Sequence, residues 1–160
     1  MGQEPNLPKI LYVDDDAGLR RLTQRALGRR GFEVETAESA DAGLAILAGG
    51  GFDLVAVDHT MPGKDGLAML REIVKESQHP PVVFVTGTDE PQVAVKALTS
   101  GATDFVTKTV GDEFFDLLAG RLTQALVRVA LERAKTEAEN ELRQANERLE
   151  LLVREVHHRV

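Results

Sequence analysis

The chain of 160 residues contains no cysteine and no tryptophan, and tyrosine occurs once. Without thiols, a disulfide framework, a thiolate metal site and a cysteine nucleophile are all excluded. Aromatic residues make up only 4% of the chain, too few for a platform that stacks nucleic-acid bases. No apolar run approaches the roughly 18 residues that cross a bilayer, and the stretch from Met1 to Pro8 lacks the basic-then-apolar order of a secretion signal. These absences lead us to expect a cytoplasmic protein with no membrane partner. What is present suits a folded domain: 42% hydrophobic and 28% charged residues. The length allows one core of about 100–150 residues plus an appendage, but not two.

Charge is unevenly placed along the chain, whose formal net charge is −7. Residues 126–160 carry seven basic and seven acidic side chains, so the first 125, with 12 basic and 19 acidic, hold the whole surplus. An acidic front repels nucleic-acid phosphates, and no direct nucleic-acid contact is expected. It does not repel a divalent cation. The balanced tail has the character of a salt-bridged helix.

Over the first 110 residues, short β-like runs alternate with helical patterns. Ile10 to Val13 is a compact apolar run ending in Asp14-Asp15-Asp16. A helical spacing of apolar residues follows from Ala17 to Arg30 and stops at Gly31. Residues 32–37 alternate with period two. Ser39 is placed to cap a second helix through Leu47, which the glycines at 49–51 end. A strand over 53–57 ends on Asp58 and is followed by the turn-rich loop Met61 to Gly66. A helix is predicted from Leu67 to Glu76, a strand from Pro81 to Val85 ending on Thr86, a helix from Pro91 to Thr99, and a fifth strand over 104–107 ending on Lys108. Five such alternations predict an α/β fold: a five-stranded parallel, doubly wound sheet with right-handed crossovers and helices on both faces. The runs at 10–13, 54–57 and 82–85 are apolar throughout, as in strands covered on both faces. The alternating run at 32–37 belongs at an edge.

The last element differs. From Asp112 onward there is no proline and a single glycine, Gly120. A helix over that stretch would reach about 73 Å at about 1.5 Å per residue. Apolar residues recur at Val127, Leu131, Ala134, Ala138, Leu142, Ala145, Leu149, Leu152 and Val156. This is a heptad-like seam with one extra-long step at 138–142, the mark of a stutter. Glu139/Arg143 and Glu150/Arg154 sit four apart in the favourable order. One long exposed helix is the plainer reading. A single stripe of this length calls for a partner, so a parallel homodimeric coiled coil is expected. The predicted organisation is an N-terminal tail (1–8), a folded domain (9–122) and a coiled-coil helix (123–160).

In open α/β sheets the functional crevice lies at the carboxyl ends of the strands. Asp14, Asp15, Asp58, Thr86 and Lys108 occupy those ends here. A strand-end aspartate is commonly just a helix cap, and for any one of them that is the simpler account. Acidic, hydroxyl and ammonium groups at the same end of four strands are harder to explain that way. Clustered carboxylates need a cation to remain ionised together. With no cysteine and no paired histidine nearby, an oxygen-ligated hard cation is indicated, and Mg²⁺ fits best. Because Mg²⁺ favours few protein oxygens plus a phosphate, the cleft suits a phosphoryl group. Asp58 can then serve as a carboxylate nucleophile, giving an acyl phosphate, while Lys108 and Thr86 hold the phosphoryl oxygens.

Residues 9–122 resemble the receiver domain of bacterial two-component response regulators. The resemblance rests on Ile10-Leu11-Tyr12-Val13-Asp14-Asp15-Asp16, Asp53-Leu54-Val55-Ala56-Val57-Asp58, Met61-Pro62-Gly63-Lys64-Asp65-Gly66, Val82-Val83-Phe84-Val85-Thr86-Gly87 and Gly101-Ala102-Thr103-Asp104-Phe105-Val106-Thr107-Lys108. It implies a flavodoxin-like fold. Asp58 would be phosphorylated from the phosphohistidine of an upstream histidine kinase or phosphotransfer protein. Asp14 and Asp15 would organise Mg²⁺ with Asp58, and the backbone carbonyl of Thr60 would be a further ligand. Thr86 and Phe105 match the family's switch pair, which repositions the fourth helix, fifth strand and fifth helix on phosphorylation. The chain departs from the pattern at Thr109, where the family usually has a proline joined by a cis bond. A non-proline cis bond costs about 2.5–4 kcal/mol, so a trans bond is expected. His59, beside the nucleophile, should point away from it, because side chains alternate along a strand.

Residues 151–160 carry a second resemblance, to the phosphoacceptor box of one histidine kinase subfamily, with His158 in the phosphorylated position. No ATP-binding domain is present in this sequence, so ATP-dependent kinase activity is not expected of it. The reading is a receiver that passes its state through a dimeric helix to a C-terminal output, a histidine kinase module. The alternatives are a different coiled-coil-linked output enzyme such as a cyclic-dinucleotide synthase, a receiver-like scaffold that takes no phosphate, and an aspartyl-nucleophile phosphatase. The phosphatase would need its nucleophile on the first strand, and Asp14-Asp15-Asp16-Ala17-Gly18 fits that pattern poorly.

Overall fold

The computed structural model describes residues 6–159, and the chain divides between Leu126 and Val127 into two units. The first unit runs through β1 (Lys9–Val13), α1 (Ala17–Arg29), β2 (Glu33–Ala37), α2 (Ala40–Ala48), β3 (Leu54–Asp58), α3 (Gly66–Val74), β4 (Val82–Thr86), α4 (Pro91–Thr99) and β5 (Asp104–Thr107), and it includes the start of α5 (Asp112–His158). The five strands form one parallel sheet in the order β2-β1-β3-β4-β5. This is the parallel, doubly wound sheet expected from the alternation, with β2 at an edge, in the flavodoxin-like arrangement that the resemblance implied. The chain builds outward from β1 in one direction and then in the other, so β1 and β3 lie side by side at the switch point where crevices form.

Strand alternation sorts the core into two layers. Ile10, Tyr12, Leu54, Ala56, Val83 and Val85 face α1 and the first turns of α5, where Leu27, Phe114, Leu118 and Leu122 meet them. Leu11, Val13, Val55, Val57, Val82 and Phe84 face the other way, against Met69 and Leu70 of α3 and Ala97 of α4. Covering both faces explains why β1, β3 and β4 are apolar along their length.

Helix ends follow local chemistry. Asp16, Ser39 and Asp65 cap α1, α2 and α3 through side-chain oxygens that accept from Leu19 N, Ala42 N and Ala68 N. Because Asp65 is the cap, α3 begins at Gly66 and ends at Val74, two residues before the predicted Glu76. Gly31 closes α1 with φ 94°. There its N–H donates to Gly28 O and Phe32 N donates to Leu27 O, a closure that needs the left-handed conformation glycine adopts freely. No cis peptide bond occurs among the described residues, so the Lys108–Thr109 bond is trans.

The second unit, from Val127, is helical through His158. Every side chain from Ala130 to Arg159 is exposed, including the seam residues Leu131, Leu142, Leu149, Leu152 and Val156. In this single chain Arg143 donates to Asn140, and Lys135 rather than Arg143 approaches Glu139, at 4.0 Å. Residues 1–5 of the expected N-terminal tail, and Val160 at the end of the predicted helix, lie outside the described residues. No helix among the described residues is long and apolar enough to cross a membrane.

Candidate functional site

Asp14 follows the last residue of β1, Asp58 closes β3, Thr86 closes β4 and Lys108 follows β5. Val13 of β1 pairs in register with Val57 of β3, which sets the next residues, Asp14 and Asp58, beside each other on one face. Asp14, Asp15 and Asp58 each offer a carboxylate oxygen, and these oxygens all lie within 4.8 Å of one another. Asp14 and Asp58 are buried, while Asp15 is exposed, so the cluster opens to solvent on the Asp15 side. The Lys108 ammonium lies between the two buried carboxylates, 3.2 Å from Asp14 Oδ2 and 3.3 Å from Asp58 Oδ1.

The electrostatics follow from this crowding. Burial, and then the neighbouring Asp14 charge, push the Asp58 carboxyl up to about 6, with Lys108 opposing them. For Lys108, burial acts to lower the ammonium, but Asp58 and Asp14 outweigh it and hold the group above its ordinary value. A cation bound among the carboxylates would relieve the repulsion between them. The donor set is all carboxylate oxygen, as a hard divalent cation requires. Oxygens lying within 4.8 Å of one another could share one such ion.

The structure therefore brings together Asp14, Asp15, Asp58 and Lys108. Thr86 is buried one residue past Val85, the register partner of Asp58. Its carbonyl accepts the Lys108 backbone N–H at 2.8 Å, which ties the ends of β4 and β5. Phe105 is half-buried against the layer beneath α3 and α4 and pairs in register with Phe84. Thr60 is exposed in the loop after β3. His59 packs its ring against Phe84, with centroids 5.8 Å apart, on the face away from the carboxylates. His158 is exposed in the last turn of α5, in the second unit.

Three contributors escaped the sequence reading. The Tyr12 hydroxyl donates to Asp14 Oδ2 at 2.7 Å, the Asp16 N–H donates to Asp14 Oδ1 at 3.0 Å, and Arg20 Nη1 donates to the Asp14 carbonyl at 2.8 Å. Tyr12 had a visible signal. It is a hydroxyl two residues before Asp14, hence on the same side of the strand, but inside an apolar run it passes for core. The Asp16 and Arg20 contacts depend on how the chain turns from β1 into α1, which residue spacing alone does not specify.

Comparison with known proteins agrees with this geometry. Residues 10–118 match the response regulator receiver domain family. The chain is 35% identical over 140 residues to the C4-dicarboxylate transport transcriptional regulatory protein DctD of Rhizobium meliloti, covering 88% of this chain and 29% of that protein. It is 33% identical over 132 residues to the transcriptional regulatory protein AfsQ1 of Streptomyces coelicolor, covering 82% and 55% respectively. The chain thus spans well under two thirds of the length of these relatives. Among solved structures, a response regulator receiver domain protein from Clostridium thermocellum superposes with a TM-score of 0.71 at 32% identity, covering 78% of this chain and 98% of that one.

Proposed function

Because this chain belongs to the response regulator receiver domain family, we propose that Asp58 accepts a phosphoryl group from the phosphohistidine of an upstream histidine kinase or phosphotransfer protein. The observation that carries this reading is the Lys108 ammonium shared between Asp14 and Asp58 in a cluster with Asp15. An Asp58 oxygen attacks phosphorus as the P–N bond to the donor imidazole breaks. The imidazole keeps the bonding electrons and takes up a proton. Lys108 follows the phosphoryl oxygens by charge, and the Thr86 hydroxyl donates to them. Asp14, Asp15, Asp58 and the Thr60 carbonyl are the residues that would hold Mg²⁺, which when bound supplies positive charge against the phosphoryl oxygens. With Thr86 drawn toward the phosphoryl group, the space it leaves admits the Phe105 ring, and α4, β5 and α5 shift with it.

The seam exposed along the second unit supports a homodimer through a parallel coiled coil. In that arrangement a change in how α5 leaves the domain passes along the helix, with the stutter at 138–142 as its soft point. This requires two seam arrangements of similar energy. The resemblance of residues 151–160 to a phosphoacceptor box favours a histidine kinase output, with His158 as its phosphorylated residue. A second reading, a transcriptional output, is favoured by the names of the relatives DctD and AfsQ1. Intact-mass analysis after incubation with acetyl phosphate and Mg²⁺ tests the core of the proposal. Gain of one phosphoryl group, absent in Asp58→Asn, is expected, and no gain in the unaltered chain would overturn it.

A further inference from the structure

We propose that Tyr12 is a positioning residue for phosphoryl transfer, its hydroxyl satisfying the Asp14 carboxylate so that the Lys108 ammonium stays shared with Asp58. The inference rests on the receiver reading above. Three donors meet the buried Asp14 carboxylate: the Tyr12 hydroxyl at 2.7 Å and Lys108 Nζ at 3.2 Å, both on Oδ2, and the Asp16 N–H at 3.0 Å on Oδ1. Asp14 is 0% exposed, so the protein rather than bulk water supplies its partners. Lys108 lies 3.3 Å from Asp58, almost equidistant between the two carboxylates. That balance depends on how much of the Asp14 charge the other donors satisfy.

The donors differ in freedom. The Asp16 N–H is fixed by the backbone leading into α1. Tyr12 is 0% exposed on an interior strand, in the core layer with Leu27 and Phe114, so its ring cannot shift far. Lys108 alone sits on a long flexible stem. If the hydroxyl is removed, the under-satisfied Asp14 draws the ammonium toward itself and away from Asp58, where the incoming phosphoryl oxygens need it.

Tyr12→Phe separates the hydrogen bond from the packing, because the ring still fills the core. The experiment uses the full chain with acetyl phosphate and Mg²⁺. In this reaction the Asp58 oxygen bonds to phosphorus as acetate departs. We expect the initial rate at saturating Mg²⁺ to fall about tenfold, the equivalent of one hydrogen bond to a charged group, while Mg²⁺ affinity measured by calorimetry changes less than about twofold. A purely structural role would not split the two readouts. A second readout is spectroscopic. Tyr12 is the only tyrosine and tryptophan is absent, so the phenol absorption band reports this one contact and should move to higher energy in Asp14→Asn. Equal phosphorylation rates in Tyr12→Phe and the parent, a parallel loss of rate and Mg²⁺ affinity, or an unmoved phenol band would each overturn the proposal. If the parent chain itself takes no phosphoryl group, the receiver reading falls and this inference falls with it. A normal parent beside an equally fast Tyr12→Phe removes the Tyr12 role alone.

Discussion

Replacing Asp58 with asparagine should make the metal-free protein more stable. The Asp58 carboxyl is held at about 6 instead of its ordinary 3.8, by burial first and the Asp14 charge second. At about 1.36 kcal/mol per tenfold change in proton affinity, keeping it ionised in the folded protein at pH 8 costs about 3 kcal/mol. Asparagine keeps the shape and removes the charge, while Lys108 retains Asp14 as a partner. Allowing for solvent screening on the open side of the pocket, the gain should be about 1–3 kcal/mol, or roughly 3–10 °C in Tm for a domain of this size. The pH dependence is specific. Above about pH 6 the penalty is fully present. It shrinks as the pH falls through 6 and vanishes below 3.8, where the carboxyl is protonated in both folded and unfolded states. Thermal and urea unfolding in a chelating buffer, at pH 8 and near pH 4, measure this directly. Mg²⁺ should stabilise the parent chain more than the variant and so narrow the difference. If Asp58→Asn is less stable than the parent at pH 8 without metal, or its advantage does not change between pH 8 and pH 4, the electrostatic account of the pocket is wrong.

Other substitutions probe the scaffold. A Cβ at Gly66 would lie 2.5 Å from the Asp58 carbonyl and 2.8 Å from His59 Cα, so Gly66→Ala should cost about 1–3 kcal/mol in urea unfolding and slow phosphorylation by displacing the end of β3. Asp65→Ala removes the α3 cap and should cost about 1 kcal/mol while leaving the extent of Asp58 phosphorylation unchanged by mass analysis. Leu142, at the seam's long step, is exposed in the single chain. If the proposed coiled-coil homodimer forms, Leu142→Lys should shift it to monomer in sedimentation equilibrium, and a dimer unaffected by the substitution would remove the seam from the account.

The sequence foretold different parts of the molecule for different reasons. Strand positions were legible because β1, β3 and β4 are covered on both faces and their composition shows it. The edge position of β2 was legible from its alternation: it pairs only with β1, and of its residues only Ala37 is buried. The carboxylate cluster could be foreseen because parallel strands put all their carboxyl ends on one side. Asp14, Asp58 and Lys108 needed only that rule to meet. The start of α3 was misjudged by one residue because Asp65 looked like part of a loop, and only its bond to Ala68 N marks it as a cap. The contact between Arg30 and Asp116, 2.8 Å apart across 86 residues of chain, joins the end of α1 to α5 and has no local signature. Tyr12 lay between these cases, its spacing from Asp14 readable but its hydroxyl hidden by apolar neighbours. For Asp16 the plain reading of a strand-end aspartate was the right one, because it caps α1.

The central claim is that residue 58 is the atom-level site of phosphoryl transfer. Treating the chain with acetyl phosphate and Mg²⁺, reducing the acyl phosphate with borohydride and sequencing the peptides by mass spectrometry tests it most directly. The account predicts homoserine at position 58 and at no other aspartate. Homoserine at Asp14 or Asp15, or an unmodified Asp58 in a chain that has taken up phosphate, would contradict it.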